Sequence, residues 1–202
     1  MSSGTHPQSA ADLTDAGVLH GVDDVVELFE RWGSVHYDDR VSQLDHALQC
    51  ASLAERAGAA PHLVVAALLH DIGHLIELDR TDGTIGDLAV DRGHEHVAAR
   101  ALAALFGPEV RMPIELHVEA KRFLCAIEPG YAATLSDGSV RSLATQGGAM
   151  TAAEVARFAS RPDASDAADV RRWDDAGKVE QLVVAPLAHF VPLLRSLASS
   201  AG

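Results

Sequence analysis

Apolar residues recur at intervals of three and four along almost the whole chain, and no stretch sustains an alternation of two. That pattern predicts an all-α fold. Val25, Val26, Leu28 and Phe29 mark one side of a helix from Val22 to Trp32. A second helix is expected from Ser42 to Ala57, with Gly58 as its stop. Pro61 suits the first turn of a third, which reads without interruption through "AALLHDIGHL" to Leu78. A long polar loop, "DRTDGTIGDLAVDRG", is of the kind that covers sites. Further helices are expected from Gly93 to "FGPE", Pro108 to Ala126, Ser136 to Thr145, from a capping box at Thr151 and Glu154, from Ala164 to Gly177, and through "APLAHFVPLLRSLA". At 202 residues the chain suits one core, with residues 1–20 as a loose arm and 21–198 as the domain.

Charge and cysteine narrow the function classes. A formal net charge of −13 argues against nucleic acid or an anionic membrane as partner, though a small anion can still be held where a few cations converge. No apolar run is long enough to span a bilayer. Two distant cysteines, Cys50 and Cys125, do not make a disulfide framework, and a cytoplasmic protein, monomeric or a small homo-oligomer, is the expectation.

The unexpected polar residues are histidines and aspartates on apolar helix faces. His70 and Asp71 interrupt a leucine-rich stretch, with His74 one turn on, and burying such a pair is costly without compensation. His46 shares a helix side with Cys50 and Leu53; His94 shares one with Ala98, Ala101, Leu102 and Leu105. His117 stacks with Pro113, Ile114, Lys121 and Leu124, so that Lys121 is either a snorkelling surface residue or a cation aimed into the same cavity. In "DVRRWDDAGK" Asp174 lies on the apolar side with Arg171 one turn before it, and Asp175 lies further round towards solvent. Of the 11 histidines, His6, His20, His36, His62 and His189 are read as ordinary surface residues, and His96 as surface or supporting. Each inward histidine alone could be a hydrogen-bonded core residue. Four on separate helices, with two aspartates, are explained together by one metal centre.

The order His, His-Asp, His, His, Asp resembles the HD-domain superfamily of all-α metal enzymes. Within it the chain looks closest to the mixed-valent diiron oxygenases of the PhnZ and TmpB type, which cleave carbon–phosphorus bonds in 1-hydroxyphosphonates. The segments "SQLDHALQCA", "AALLHDIGH", "IELHVEAKRFL", "LSDGSVRSL", "QGGAM" and "VRRWDDAGK" carry the likeness over residues 37 to 180. The resemblance implies two iron ions, Fe(II)/Fe(III), at the centre of one helical bundle, with O2 as co-substrate. His46, His70, Asp71 and Asp174 would hold one iron, and Asp71, His94 and His117 the other, with Asp71 as bridge and catalytic residue. Lys121, Arg171, Ser139 and Gln146 match positions around the substrate's phosphonate, and His74 a catalytic, substrate-contacting position. Relatives of this type carry a lid Tyr and Glu before the first histidine; His36 and Asp39 fall at those offsets and Tyr37 one place late, which makes them the candidate lid. The implied reaction releases inorganic phosphate from a small 1-hydroxyphosphonate, such as 2-amino-1-hydroxyethylphosphonate or an N-methylated or shorter relative, and leaves a carboxylate. A metal-dependent HD phosphohydrolase acting on a nucleotide or phosphate ester is the alternative, and a non-catalytic HD module the third reading.

Overall fold

A computed structural model describes residues 18–36, 41–84 and 93–199. The helices are α1 (Val22–Trp32), α2 (Gln43–Arg56), α3 (Pro61–Leu69), α4 (Ile72–Arg80), α5 (His94–Ala101), α6 (Pro108–Ile127), α7 (Asp137–Thr145), α8 (Ala152–Ala159), α9 (Ala164–Ala176) and α10 (Leu187–Leu197). Among the described residues there is no strand, only one isolated bridge between His36 and Ser42. The all-α expectation holds. No described helix is long and apolar enough to cross a membrane.

Several helix ends follow from single residues. The Ser42 hydroxyl accepts the Asp45 amide and opens α2, and Pro61 opens α3. Thr151 and Glu154 form the expected capping box on α8, satisfying two end groups reciprocally.

One expectation fails. The segment from Pro61 to Leu78 is not one helix: it breaks at His70 and Asp71, and α4 runs on to Arg80. Asp71 stands at the N-cap of α4 with φ −102° and ψ 8°, outside helical geometry. An N-cap aspartate ordinarily accepts an amide of its own helix, worth about 1 kcal/mol. Asp71 makes no such bond, and its carboxylate turns inward instead. The apolar residues on both sides share one face before and after the break, so periodicity alone cannot register it. The helix from Gly93 is likewise shorter than expected, ending at Ala101 in a 3-10 turn over Leu102–Ala104.

The bundle has a larger core, a smaller one, and a third small cluster of Leu124, Tyr131 and Ala168. The larger is built from residues such as Val25, Leu28, Ala51, Val65, Leu68, Leu75, Leu102, Ile114 and Phe190. The smaller joins Leu116 and Ala120 of α6 to Met150, Phe158 and Ala167. Helix α6 touches both and packs on α3, α5, α8 and α9. The buried polar residues His46, His70, Asp71, His94 (12% exposed at the side chain), His117 and Asp174 come from α2, the α3–α4 break, α5, α6 and α9.

Gly73 fixes how closely α5 approaches α4. A Cβ at this position would lie 2.1 Å from the backbone oxygen of His94. Alanine would gain about 1 kcal/mol of helix propensity, but overpacking costs about 1–3 kcal/mol, and backbone cannot rotate aside as a side chain can. Gly73→Ala is therefore expected to lower stability by up to about 2 kcal/mol in urea unfolding; a variant as stable as the parent would show that α5 moves freely.

Candidate metal centre

Each inward imidazole is held from behind. His46 Nδ1 lies 2.8 Å from the Gly177 carbonyl oxygen, His70 Nδ1 2.9 Å from that of Ala67, and His117 Nδ1 2.7 Å from that of Ile114. A carbonyl oxygen only accepts, so in all three rings Nδ1 carries the proton and donates it. In the neutral ring Nε2 then presents a lone pair. His94 differs: its Nδ1 faces a carboxylate oxygen of Glu95 at 3.5 Å.

The Nε2 atoms converge in two pairs, His46 with His70 at 3.2 Å and His94 with His117 at 3.3 Å. Asp71 lies between the pairs and gives one oxygen to each. Oδ2 is 3.6 Å from His46 Nε2 and 3.4 Å from His70 Nε2. Oδ1 is 3.2 Å from His94 Nε2 and 3.6 Å from His117 Nε2. Asp174 Oδ1 joins the first pair, 3.2 Å from His46 and 3.8 Å from His70.

These donors fit metal ions. Bonds of about 2.1 Å at tetrahedral or octahedral angles separate neighbouring ligand atoms by about 3.0–3.4 Å. Lone pairs on neutral rings cannot hydrogen-bond one another, so a shared cation is the natural partner of each pair. Burial, with the charge of His94 next, pushes the His117 imidazole well below its ordinary range and His74 down to about 3, keeping both neutral. For His70 burial again opposes charge, but Asp71 and Asp174 overcome it and raise the ring to about 10. A metal ion would displace that proton. Imidazole and carboxylate together suit iron, zinc and manganese alike.

Cys50 is buried next to His46, its sulfur 3.9 Å from Nε2, and with His46 and His70 it forms a second possible donor group. Its thiol is 3.7 Å from Nδ1 and donates to the Trp173 carbonyl at 3.4 Å. Burial, then the Asp174 charge, holds the thiol well above its ordinary pKa. It stays protonated while Asp71 and Asp174 offer anionic oxygens nearer to Nε2.

A cationic wall adjoins the centre. Arg171 and Lys121 are buried, at 3% and 2% exposure. Arg171 Nη1 lies 2.7 Å from Asp174 Oδ2, and Nη2 donates to Ser139 Oγ at 3.2 Å. Its Nε donates to Asp175 at 3.0 Å, and Asp175 also accepts from the Tyr131 hydroxyl. The expectation that Asp175 faces solvent is thus wrong: its side chain is only 9% exposed, because the guanidinium draws it inward. Lys178 Nζ contacts Asp174 Oδ1 at 2.8 Å.

Lys121 is placed otherwise. Its Nζ donates to Ser142 Oγ at 2.7 Å, and no carboxylate among the described residues lies within ion-pair distance. Burial, then the Arg171 charge, lowers its pKa to about 8. Gln146 follows at the end of α7 with its side-chain oxygen buried and without a hydrogen-bond partner. Arg122 braces the glycine turn beyond it, donating to the Gly148 carbonyl and pairing with Glu154 at 2.9 Å.

The structure thus brings together His46, His70, Asp71, His94, His117 and Asp174, and beside them Lys121, Arg171 and Ser139. His74 joins them by stacking on His94, ring centres 4.1 Å apart. His36 bridges to Ser42, one turn before His46; Tyr37, Asp39, His6 and most of the covering loop fall outside the described residues. His20, His96 and His189 are exposed as expected, and His62 partly so. Reading by helical face missed Lys178, Glu95 and Tyr131. The spacing of Lys178 four after Asp174 was a usable signal, whereas Tyr131 reaches Asp175 across a turn that no period marks.

Comparison with known proteins places this arrangement. A family model described as HD domain matches residues 44–174. The chain is 46% identical to a hydroxymethylphosphonate dioxygenase of Gimesia maris, covering 84% of each chain. It is 36% identical to the 1-hydroxy-2-(trimethylamino)ethylphosphonate dioxygenase (glycine-betaine-forming) of Leisingera caerulea, over 84% of this chain and 86% of the relative. An uncharacterized protein of Acanthamoeba polyphaga mimivirus is 32% identical over 88% of this chain and 81% of its own. The matched span runs from the helix of His46 to Asp174 and so encloses the whole donor set: the chain belongs to the HD domain family, in the branch that holds these two dioxygenases.

Proposed function

We propose that the chain is a diiron dioxygenase that oxidatively cleaves the carbon–phosphorus bond of a small 1-hydroxyphosphonate. The observation that carries this reading is the two-sided carboxylate of Asp71, one oxygen facing each histidine pair. Such a carboxylate suits two metal ions close together and is more than one ion requires. His46, His70, Asp71 and Asp174 would hold one iron, and Asp71, His94 and His117 the other. Both named dioxygenase relatives act, by their names, on phosphonates, and hydroxymethylphosphonate supports a substrate with little or nothing beyond C1. The overall change would consume O2 and convert hydroxymethylphosphonate to formate and inorganic phosphate. When bound, the iron pair would supply coordination of the substrate's oxygens and the electrons that activate O2.

The chain's own residues bind and orient. Lys121, buried without an acidic partner among the described residues, supplies the positive charge that draws a phosphonate inward. Ser139 and Gln146 offer a hydroxyl and an amide, and Arg171 completes the wall while holding Asp174 in place. His74, neutral and stacked on His94, can donate or accept a hydrogen bond near the substrate's hydroxyl. Burial of these groups excludes water and strengthens each contact.

The direct test is phosphate release from iron-loaded protein with a panel of 1-hydroxyphosphonates, with and without O2. Phosphate is expected only with O2. Phosphate from ordinary esters, indifferent to O2 and supported by manganese, would point to an HD phosphohydrolase instead.

Lys121 adds two expectations. Removing a charged hydrogen-bond donor costs about 1.5–3 kcal/mol, so Lys121→Met should raise KM about 10- to 100-fold. A lysine lowered to about 8 is charged below that pH and neutral above it. The other groups whose charge acts on it are Arg171, Asp174, Asp175 and Lys178. kcat/KM, which reports the free enzyme, should therefore fall as pH rises through about 8, and Lys121→Arg should abolish that limb. A limb that survives the substitution belongs to another group.

A further inference from the structure

Of the four inward histidines, three donate Nδ1–H to neutral backbone carbonyls, whereas His94 alone turns Nδ1 towards a carboxylate. That carboxylate belongs to Glu95, which is buried at 7% exposure. Oε2 lies 3.5 Å from His94 Nδ1 and is buried with no hydrogen-bond partner among the described residues, and Oε1 lies 3.7 Å from His96 Nε2. No lysine or arginine among the described residues pairs with Glu95. A buried carboxylate held between two imidazoles is costly unless one donates to it.

The two donor groups are also unequal. The His46–His70 group has Asp174 in addition to Asp71, whereas the His94–His117 group has only its share of Asp71. A second negative charge is available to the latter only behind a ring.

We propose that Glu95 is a positioning residue for the metal at His94 and His117: it accepts the Nδ1–H of His94, fixes the ring and strengthens Nε2 as a donor. This makes the two metal positions electronically distinct, one served by a second carboxylate directly and one through an imidazole. The inference rests on the two-metal reading above.

The test is titration of the metal-free protein with Co(II), followed by its absorption spectrum, in wild type, Glu95→Gln and His94→Ala. Two metals should bind wild type. In Glu95→Gln one should bind about 10- to 100-fold more weakly, at the position lost in His94→Ala, and the other unchanged. Two unchanged affinities would overturn the proposal. A wild type that binds only one Co(II) would instead overturn the two-metal reading. A second measurement needs no variant: in zinc-loaded wild type the His94 Nδ1 proton should resonate downfield of the other three ligand histidines. A proton that resonates with them, or exchanges freely with water, would overturn the role of Glu95.

Discussion

The structure turns on a carboxylate that its own helix does not use. Asp71 sits where an aspartate normally caps a helix, yet it faces four imidazole nitrogens, one oxygen to each pair. Leaving that cap unmade costs about 1 kcal/mol, and burying a carboxylate costs several more. Both costs are recovered where positive charge, on a ring or on a bound cation, faces the carboxylate. The centre is therefore a place built for cations, and the rest of the bundle holds its donors apart.

That task explains features that look incidental one by one. The break between α3 and α4 leaves His70 facing one histidine pair while the adjacent Asp71 turns an oxygen to each pair. Gly73 lets the first turn of α5 close onto α4, carrying His94 into range. Carbonyls one turn back in α3 and α6 orient His70 and His117, and the carbonyl of Gly177 orients His46. Gly177 itself is pressed against Cys50, whose sulfur a Cβ there would meet at 2.5 Å. Arg171 then links the donor cluster to the cationic wall: it clamps Asp174 with one nitrogen and reaches Ser139 and Asp175 with others. Because its charge is shared between two carboxylates, the charge of the wall left without an acidic partner among the described residues is that of Lys121.

Much of this was legible in the sequence because helical period sorts faces. His46, His94 and His117 each lie in line with apolar residues three or four positions away, and all three point inward. The His-Asp pair stood out because leucine was expected there. The break at that pair was not legible, since "AALLHDIGHL" keeps helix-forming residues throughout and nothing local says which way Asp71 turns. Asp175 was misplaced for a related reason. Face reasoning ranks residues by neighbours on one helix, whereas Asp175 is drawn inward by Arg171 and by Tyr131 from another element. Glu95 shows the same limit, since its role depends on which nitrogen of His94 it faces.

The central claim is that Asp71 joins two metal ions in one centre, and iron content with magnetic spectroscopy tests it most directly. Anaerobically loaded protein should hold two irons per chain and, after partial oxidation, show one spin-coupled Fe(II)/Fe(III) pair. Asp71→Asn should lose the coupling together with at least one iron. Two uncoupled irons in the wild type, or a coupled pair that survives Asp71→Asn, would contradict the account.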